Sequence, residues 1–204
     1  MSARDAILAR LRSGGPAPVP ITEAAQLIEA VERPILSPGS AVDIFLEALS
    51  GGTVSATHDR VATLAELSDA VLRYLTGQAL GPALYLPPDP ELRAQDWRGF
   101  EIHDSPAPDE PAALTVARCG VAETGSLVFD TGPGAPMLPN FLTLHSIVLL
   151  RTEAIVAHLE DIPPSYPLPR AHYWVTGVSG TTDIEGQYVR GAHGPRFLHV
   201  ILLG

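Results

Sequence analysis

The amino-acid sequence predicts an α/β domain on a mostly parallel sheet. Three observations carry this. Helical spacing and apolar runs alternate along residues 40–87. Two long apolar runs, "TLHSIVLLR" at 143–151 and "FLHVILL" at 197–203, read as buried strands. The Pro-rich pieces between elements are too short to link independent domains, so residues 36–204 are expected to form one α/β domain.

Each element has a local reason. The opening "ARDAILARLR" reads as an amphipathic helix with Ile7, Leu8 and Leu11 on one face, stopped by "SGGPAPVP". Residues 22–32 look helical again, with Leu27, Ile28 and Val31, until Pro34. Residues 1–35 are therefore expected as an N-terminal helical extension. Residues 40–49 form a clearer helix, with Ser40 as cap, Asp43 completing the box, and Val42, Phe45, Leu46 and Leu49 at helical spacing. "TVSAT" at 53–57 is expected as a short strand. Thr63 and Glu66 make a capping box for a helix carrying Leu64, Leu67, Val71 and Leu75, and "PALYLP" is the next strand. Residues 87–111 read as an irregular crossing. "AALTVARCGVAETGSLVFD" is expected to give two strands around a Gly turn, and Thr152 to Leu159 a short helix. "IPPSYPLP" is a loop, and "AHYWVTG" and "FLHVILL" close the sheet. Six or seven strands are expected in all.

Composition narrows the function classes. The 204 residues carry a formal net charge of −10, a field that repels nucleic-acid phosphates and anionic membrane surfaces. There is no lysine, which excludes a Schiff-base or P-loop lysine. The one cysteine, Cys119, rules out an intrachain disulfide, a cysteine-ligated zinc site and an iron–sulfur cluster held by this chain alone. The opening residues lack the apolar region of a signal peptide, and no apolar run reaches about 18 residues, so a cytoplasmic protein without a membrane span is expected. The seven histidines show no paired metal spacing, so no metal site is expected.

Four stretches can carry chemistry. In "GVAETGS" a strand delivers Glu123 into a tight turn, where Thr124, Gly125 and Ser126 offer backbone N–H groups and two hydroxyls. Glu123 can serve there as base, acid or nucleophile, or it is only a solvated acid in a hairpin turn. In "FDTGPGAP", Gly132 and Gly134 allow a ligand close to the backbone, or simply build a Pro-stiffened loop. "TTDIEG" holds a formal capping box, Thr182 with Glu185, and Asp183 suits a helix N-terminus. Aimed into a cleft, that helix start would bind a carboxylate or phosphate. In "GAHGP", His193 lies on a stiff turn beside Gly194, placed for proton transfer or for hydrogen bonding a loop carbonyl. The nearest cations are Arg118, Arg151, Arg190 and Arg196.

Residues 113–204 resemble the LutC/YkgG family, the lactate-utilization (LUD) domain, through "AETGS", "DTGPG", "LHSIVLLR", "TTDIEG" and "GAHGPRFLHVILL". The resemblance implies a three-layer α/β/α fold similar to the NagB/RpiA/CoA-transferase-like group. It implies a role with iron–sulfur partner proteins in oxidising L-lactate to pyruvate, with a small carboxylate or an unidentified cofactor at the sheet edge. On that reading Glu123, Asp183 and His193 are the catalytic candidates. Thr124, Gly125, Ser126, Gly132, Gly134, Thr182, Glu185 and Gly194 are the ligand-binding ones. Two alternatives stay open. One is an independent enzyme of the sugar-isomerase or CoA-transferase type; the other is a metabolite-binding or assembly subunit without chemistry. The chain departs from the family's pattern at Gly180, where a basic residue is usual. Exchange of Glu123 for Gln is expected to abolish function at a stability cost within about 1 kcal/mol.

Overall fold

The computed structural model describes residues 2–13, 33–52, 54–107, 110–182, 184–191 and 193–204. The chain divides into two compact units, Met1–Ile35 and Leu36–Gly204. In the first, helix α1 (Ala3–Ser13) is capped by Ser2, which exchanges hydrogen bonds with Asp5. The helix expected at 22–32 lies outside the described residues.

The second unit is built on a six-stranded, all-parallel sheet in the order β1 (Thr57–Val61), β12 (Phe197–Leu203), β7 (His145–Arg151), β4 (Ala112–Val116), β2 (Ala83–Tyr85), β3 (Glu101–His103). Its centre is β7 (His145–Arg151) beside β12 (Phe197–Leu203), paired from Phe197↔His145 to Leu203↔Arg151. Each strand carries an uninterrupted apolar stretch, 147–150 and 200–203, because both of its faces are covered. Along β7, Ile147 and Leu149 face one core cluster while Val148 and Leu150 face the other. The edges are the polar strand β1 (Thr57–Val61) and the three-residue β3 (Glu101–His103).

Helix α2 (Ala41–Ser50) and helix α3 (Leu67–Gly77) contribute to different clusters. Ser40 accepts the Asp43 N–H at 3.2 Å, as its spacing predicts, and α2 buries Phe45 and Leu49 with Val148, Leu150, Val200 and Leu202. On the opposite face α3 buries Leu67, Ala70, Val71 and Leu75 against Ile147, Leu149 and Ile201. Its first turn tightens to a 3-10 turn at Leu64–Glu66. There Thr63 donates to the Glu66 carboxylate rather than capping the helix with its hydroxyl oxygen.

A second, four-stranded sheet shares the α2 cluster, in the order β8-β5-β6-β9. The two strands expected around a Gly turn across 112–130 are three. They are β4 (Ala112–Val116) in the main sheet, then β5 (Cys119–Val121) and β6 (Ser126–Asp130) in the second. The chain changes sheets between neighbours: the Ala117 N–H bonds Leu149 O in the main sheet, and the Arg118 N–H bonds Val128 O in the second. Strand β8 (Ile155–Val156) lies between two 3-10 turns, Thr152–Ala154 and Leu159–Asp161, where a helix was expected. Two β-branched residues beside β5 complete a ladder more cheaply than one isolated helical turn forms. Strand β9 (His172–Val175) finishes that sheet against β6.

Three further expectations need correction. The strand placed at 53–57 occurs at Thr57–Val61, because its partner β12 offers ladder groups from His199 to Leu203. The crossing at 87–111 contains a short helix, Pro90–Arg93, capped by Asp89, and the edge strand β3. The helix expected at Thr182 is instead a hairpin, β10 (Gly180–Thr182) paired with β11 (Tyr188–Arg190) around Gly186 at φ +81°. Twelve strands occur among the described residues, where six or seven were expected.

Candidate functional site

The AETGS turn joins β5 to β6 and packs on α2. Gly125 sits at φ +66°, and a Cβ there would lie 2.8 Å from Leu49 N and 2.9 Å from Ala48 C. The left-handed backbone and the close helix both require glycine. The Glu123 side chain is 7% exposed. Its carboxylate accepts the Leu159 N–H at 2.8 Å and meets His158 Nδ1 at 2.9 Å. Both oxygens are therefore engaged in holding the turn at 158–161. The hydroxyls run as a chain, Thr124 Oγ1 to Ser126 Oγ at 2.7 Å and Ser126 Oγ to Thr176 Oγ1 at 2.6 Å.

The GAHGP turn lies at the amino ends of β7 and β12. The His193 N–H donates to Ser179 Oγ at 3.3 Å, the Ser179 N–H donates to Pro195 O at 2.9 Å, and Gly194 rests on Ser179 and Phe141. Thr182 ends β10, and Glu185 is exposed in the hairpin turn. Asp183 lies outside the described residues. Gly180 makes room for Tyr188, whose ring occupies the place a Cβ would take. The two bends thus meet the same connecting segment, the first at Thr176 and the second at Ser179, while the Glu123 carboxylate turns the other way, to His158 and Leu159.

A more strongly charged arrangement lies on the outer face of the second sheet, away from the α2 cluster. Alternation along β6 sends Leu127 and Phe129 inward and Val128 and Asp130 outward. Asp130 pairs in register with His172, whose Nδ1 is 2.6 Å from Asp130 Oδ1. Arg118 Nε approaches Asp130 Oδ2 at 3.3 Å, and the Ser165 hydroxyl donates to the same oxygen. Trp174 Nε1 donates to His172 Nε2 at 2.7 Å. These partners set the tautomer: Nδ1–H donates to Asp130 and the Nε2 lone pair accepts from the indole. Burial pushes the Asp130 pKa up, but Ser165, His172 and Arg118 outweigh it and hold the carboxyl below its ordinary value.

This cluster opens into a cleft of about 640 Å³ lined by Arg118, Asp130, Thr131, Gly132, Ser165 and Arg170. Gly132 is the expected ligand-binding residue that reaches it. Gly134 lies in a neighbouring hollow of about 30 Å³ beside Pro88, where Thr115 donates to Asn140 and Asn140 to Tyr173, each at 2.8 Å. Two arginines against one carboxylate make the cleft cationic on a chain of net charge −10. Among the described residues no ion pair engages Arg170, and no group of three or more His, Cys, Asp or Glu side chains is arranged to hold a metal. The pairing of Asp130 with His172 spans 42 residues and leaves no motif. The available signal was an acid ending an apolar strand, and a histidine opening another after a Pro-rich loop.

The family model described as the LUD domain matches residues 110–203, the stretch holding the charged cluster and both bends. Lactate utilization protein C of Deinococcus radiodurans is 34% identical to the chain over 99 residues, 46% of this chain and 46% of that protein. The chain therefore matches about half the length of that relative. A solved structure, a DUF162 family protein from Deinococcus radiodurans, is similar with a TM-score of 0.56 at 18% identity, over 82% of this chain and all of that one. That is a likeness of fold. The matched stretch holds the strand pair that carries Asp130 and His172, together with the two central strands of the main sheet. No helix among the described residues is long and apolar enough to cross a membrane.

Proposed function

We propose that the chain is a subunit of an L-lactate utilization system and that its cleft between Asp130 and Arg170 binds a small carboxylate. The observation that carries this is the cationic cleft inside the matched LUD domain. The relative named for lactate utilization agrees with it in process. Residues 36–204 act as the LUD α/β domain, of the three-layer type similar to the NagB/RpiA/CoA-transferase-like group, and residues 1–35 as its helical extension.

Arg170 and Arg118 attract the carboxylate, and Thr131 and Gly132 form the wall against it. His172, oriented by Asp130, accepts the hydroxyl proton once the Trp174 indole leaves Nε2. Oxidation of lactate to pyruvate releases two electrons and two protons, so the electrons pass to iron–sulfur partner proteins. Cys119 is buried and is the one cysteine of the sequence, so on this reading any cluster would be held by those partners. Glu123 acts through the turn it holds, since Leu159 walls the adjoining hollow. Thr124, Gly125 and Ser126 serve that turn. Thr182, Glu185, His193 and Gly194 belong to the hairpin end, which His193→Ala tests separately.

Calorimetric titration of the purified chain with L-lactate tests the reading, followed by a lactate-dependent dye-reduction assay with its iron–sulfur partners added. Lactate binding lost at least tenfold in Arg170→Ala, with turnover only when partners are present, supports it. Full turnover by the isolated chain would instead favour an independent enzyme.

A further inference from the structure

The cationic cleft does not end at its charges. Continuous with it, and sharing Arg118, Pro164, Ser165, Tyr166, Leu168 and Pro169 across the two linings, is a second hollow of about 380 Å³. Its walls are Leu159, Ile162, Tyr166, Leu168 and Trp174, with Pro163, Pro164 and Pro169 between them. Trp174 is 42% exposed although its indole N–H is already engaged by His172, and Tyr166 and Leu168 are more than 80% exposed. Each volume falls within the range of small-molecule sites. Lactate has a single methyl group to place on such a surface, so a small carboxylate leaves the apolar hollow unused.

We propose that this hollow is a subsite for a planar aromatic ring whose anionic tail reaches the arginines of the adjoining cleft. The chemistry of the walls selects that class. Indole, phenol and proline rings present flat faces for stacking, whereas an aliphatic tail gains no preference from them. Arg170 lies only in the cationic cleft and Arg118 at the junction, so charge fixes which way the ligand lies. The described residues place no acid on the walls of the apolar hollow, and Asp130 at the junction is engaged by Arg118, His172 and Ser165. A nucleotide-linked heteroaromatic ring satisfies both halves; lactate satisfies one.

This inference rests on the reading of the cleft as an anion site, and the tests separate the two. The probe is flavin mononucleotide, followed by its fluorescence quenching, with riboflavin as the ring without the anion and octanoate as an anion without a ring. Flavin mononucleotide is expected to bind at least tenfold more tightly than riboflavin. Trp174→Ala is expected to weaken it about tenfold and Trp174→Phe to retain it. Lactate binding without flavin binding would overturn the subsite and leave the carboxylate site standing. Displacement of the flavin by octanoate at equal concentration, or wild-type flavin binding by Trp174→Ala, would also overturn it. Loss of both lactate and flavin binding in the folded wild-type chain would remove both proposals.

Discussion

Replacing Glu123 by Gln is the most informative single perturbation, because surface reasoning and the structure disagree about its cost. An exposed acid would tolerate the change within about 0.5 kcal/mol. Glu123 is instead 7% exposed and receives the Leu159 N–H at 2.8 Å, with His158 Nδ1 at 2.9 Å on its other oxygen. Gln keeps one carbonyl oxygen for Leu159 and turns an amide NH₂ toward His158. Hydrogen bonds to a charged acceptor contribute about 1.5–3 kcal/mol, and neutral ones about 0.5–1.5. Two such bonds weakened together give a loss of about 1–3 kcal/mol. For a chain of this size that lowers Tm by roughly 2–12 °C. Thermal and urea unfolding read the change, with the urea slope checked for constancy. Glu123→Gln with unaltered stability would refute the claim that this carboxylate anchors the turn at 158–161. If stability is unaltered and lactate turnover is also lost, the acid belongs to the chemistry.

The other expectations are shorter. Gly125→Ala combines a left-handed residue, costing about 1–2 kcal/mol, with a Cβ 2.8 Å from Leu49 N, whose repacking adds about 1–3 kcal/mol; a urea midpoint equal to wild type would show that the turn does not pack on α2. His199 is 6% exposed, stacks on Tyr74 at 4.1 Å, and its Nε2 has no partner among the described residues. Burial pushes its pKa down to about 4, only partly opposed by Asp59. The unfolded chain then binds more protons between pH 6.5 and 4, so stability falls as pH drops through that window, by roughly 3 kcal/mol in total. His199→Phe should flatten this acid limb of the Tm–pH curve, and an identical limb in the variant would exclude His199 as its source. Gly180→Arg, which restores the basic residue usual in the family, should lower Tm alone and recover when Tyr188→Ala is added, since the Tyr188 ring fills the space over Gly180.

The elements legible from sequence were those whose environment is written in their own residues. β7 and β12 carry the apolar runs 147–150 and 200–203 because both faces are buried, and α2 carries its cap and stripe within eleven residues. The elements misread are those whose partner decides them. "TTDIEG" satisfies a capping pattern, yet Tyr188–Arg190 offers a ladder to Gly180–Thr182, and pairing outweighs a helix of one turn. β5 and β8 have three and two residues, too few for any period, and exist because the chain changes sheets at Arg118. Two of the expected bends do reach one connector, through Thr176 and Ser179. Asp130 and His172 showed no pattern, because the chain brings them together only by pairing β6 with β9.

Composition and local pattern alone settle the α/β class, the burial of the two central strands, the absence of lysine and disulfide chemistry, and the acidity of the whole. These follow from residue type and short-range periodicity, which operate over a few neighbours. The buried Glu123 anchor and the pairing of Asp130 with His172 join groups 35 and 42 residues apart. Such contacts carry no local signature, because the free energy that selects them comes from pairing and burial across the folded chain.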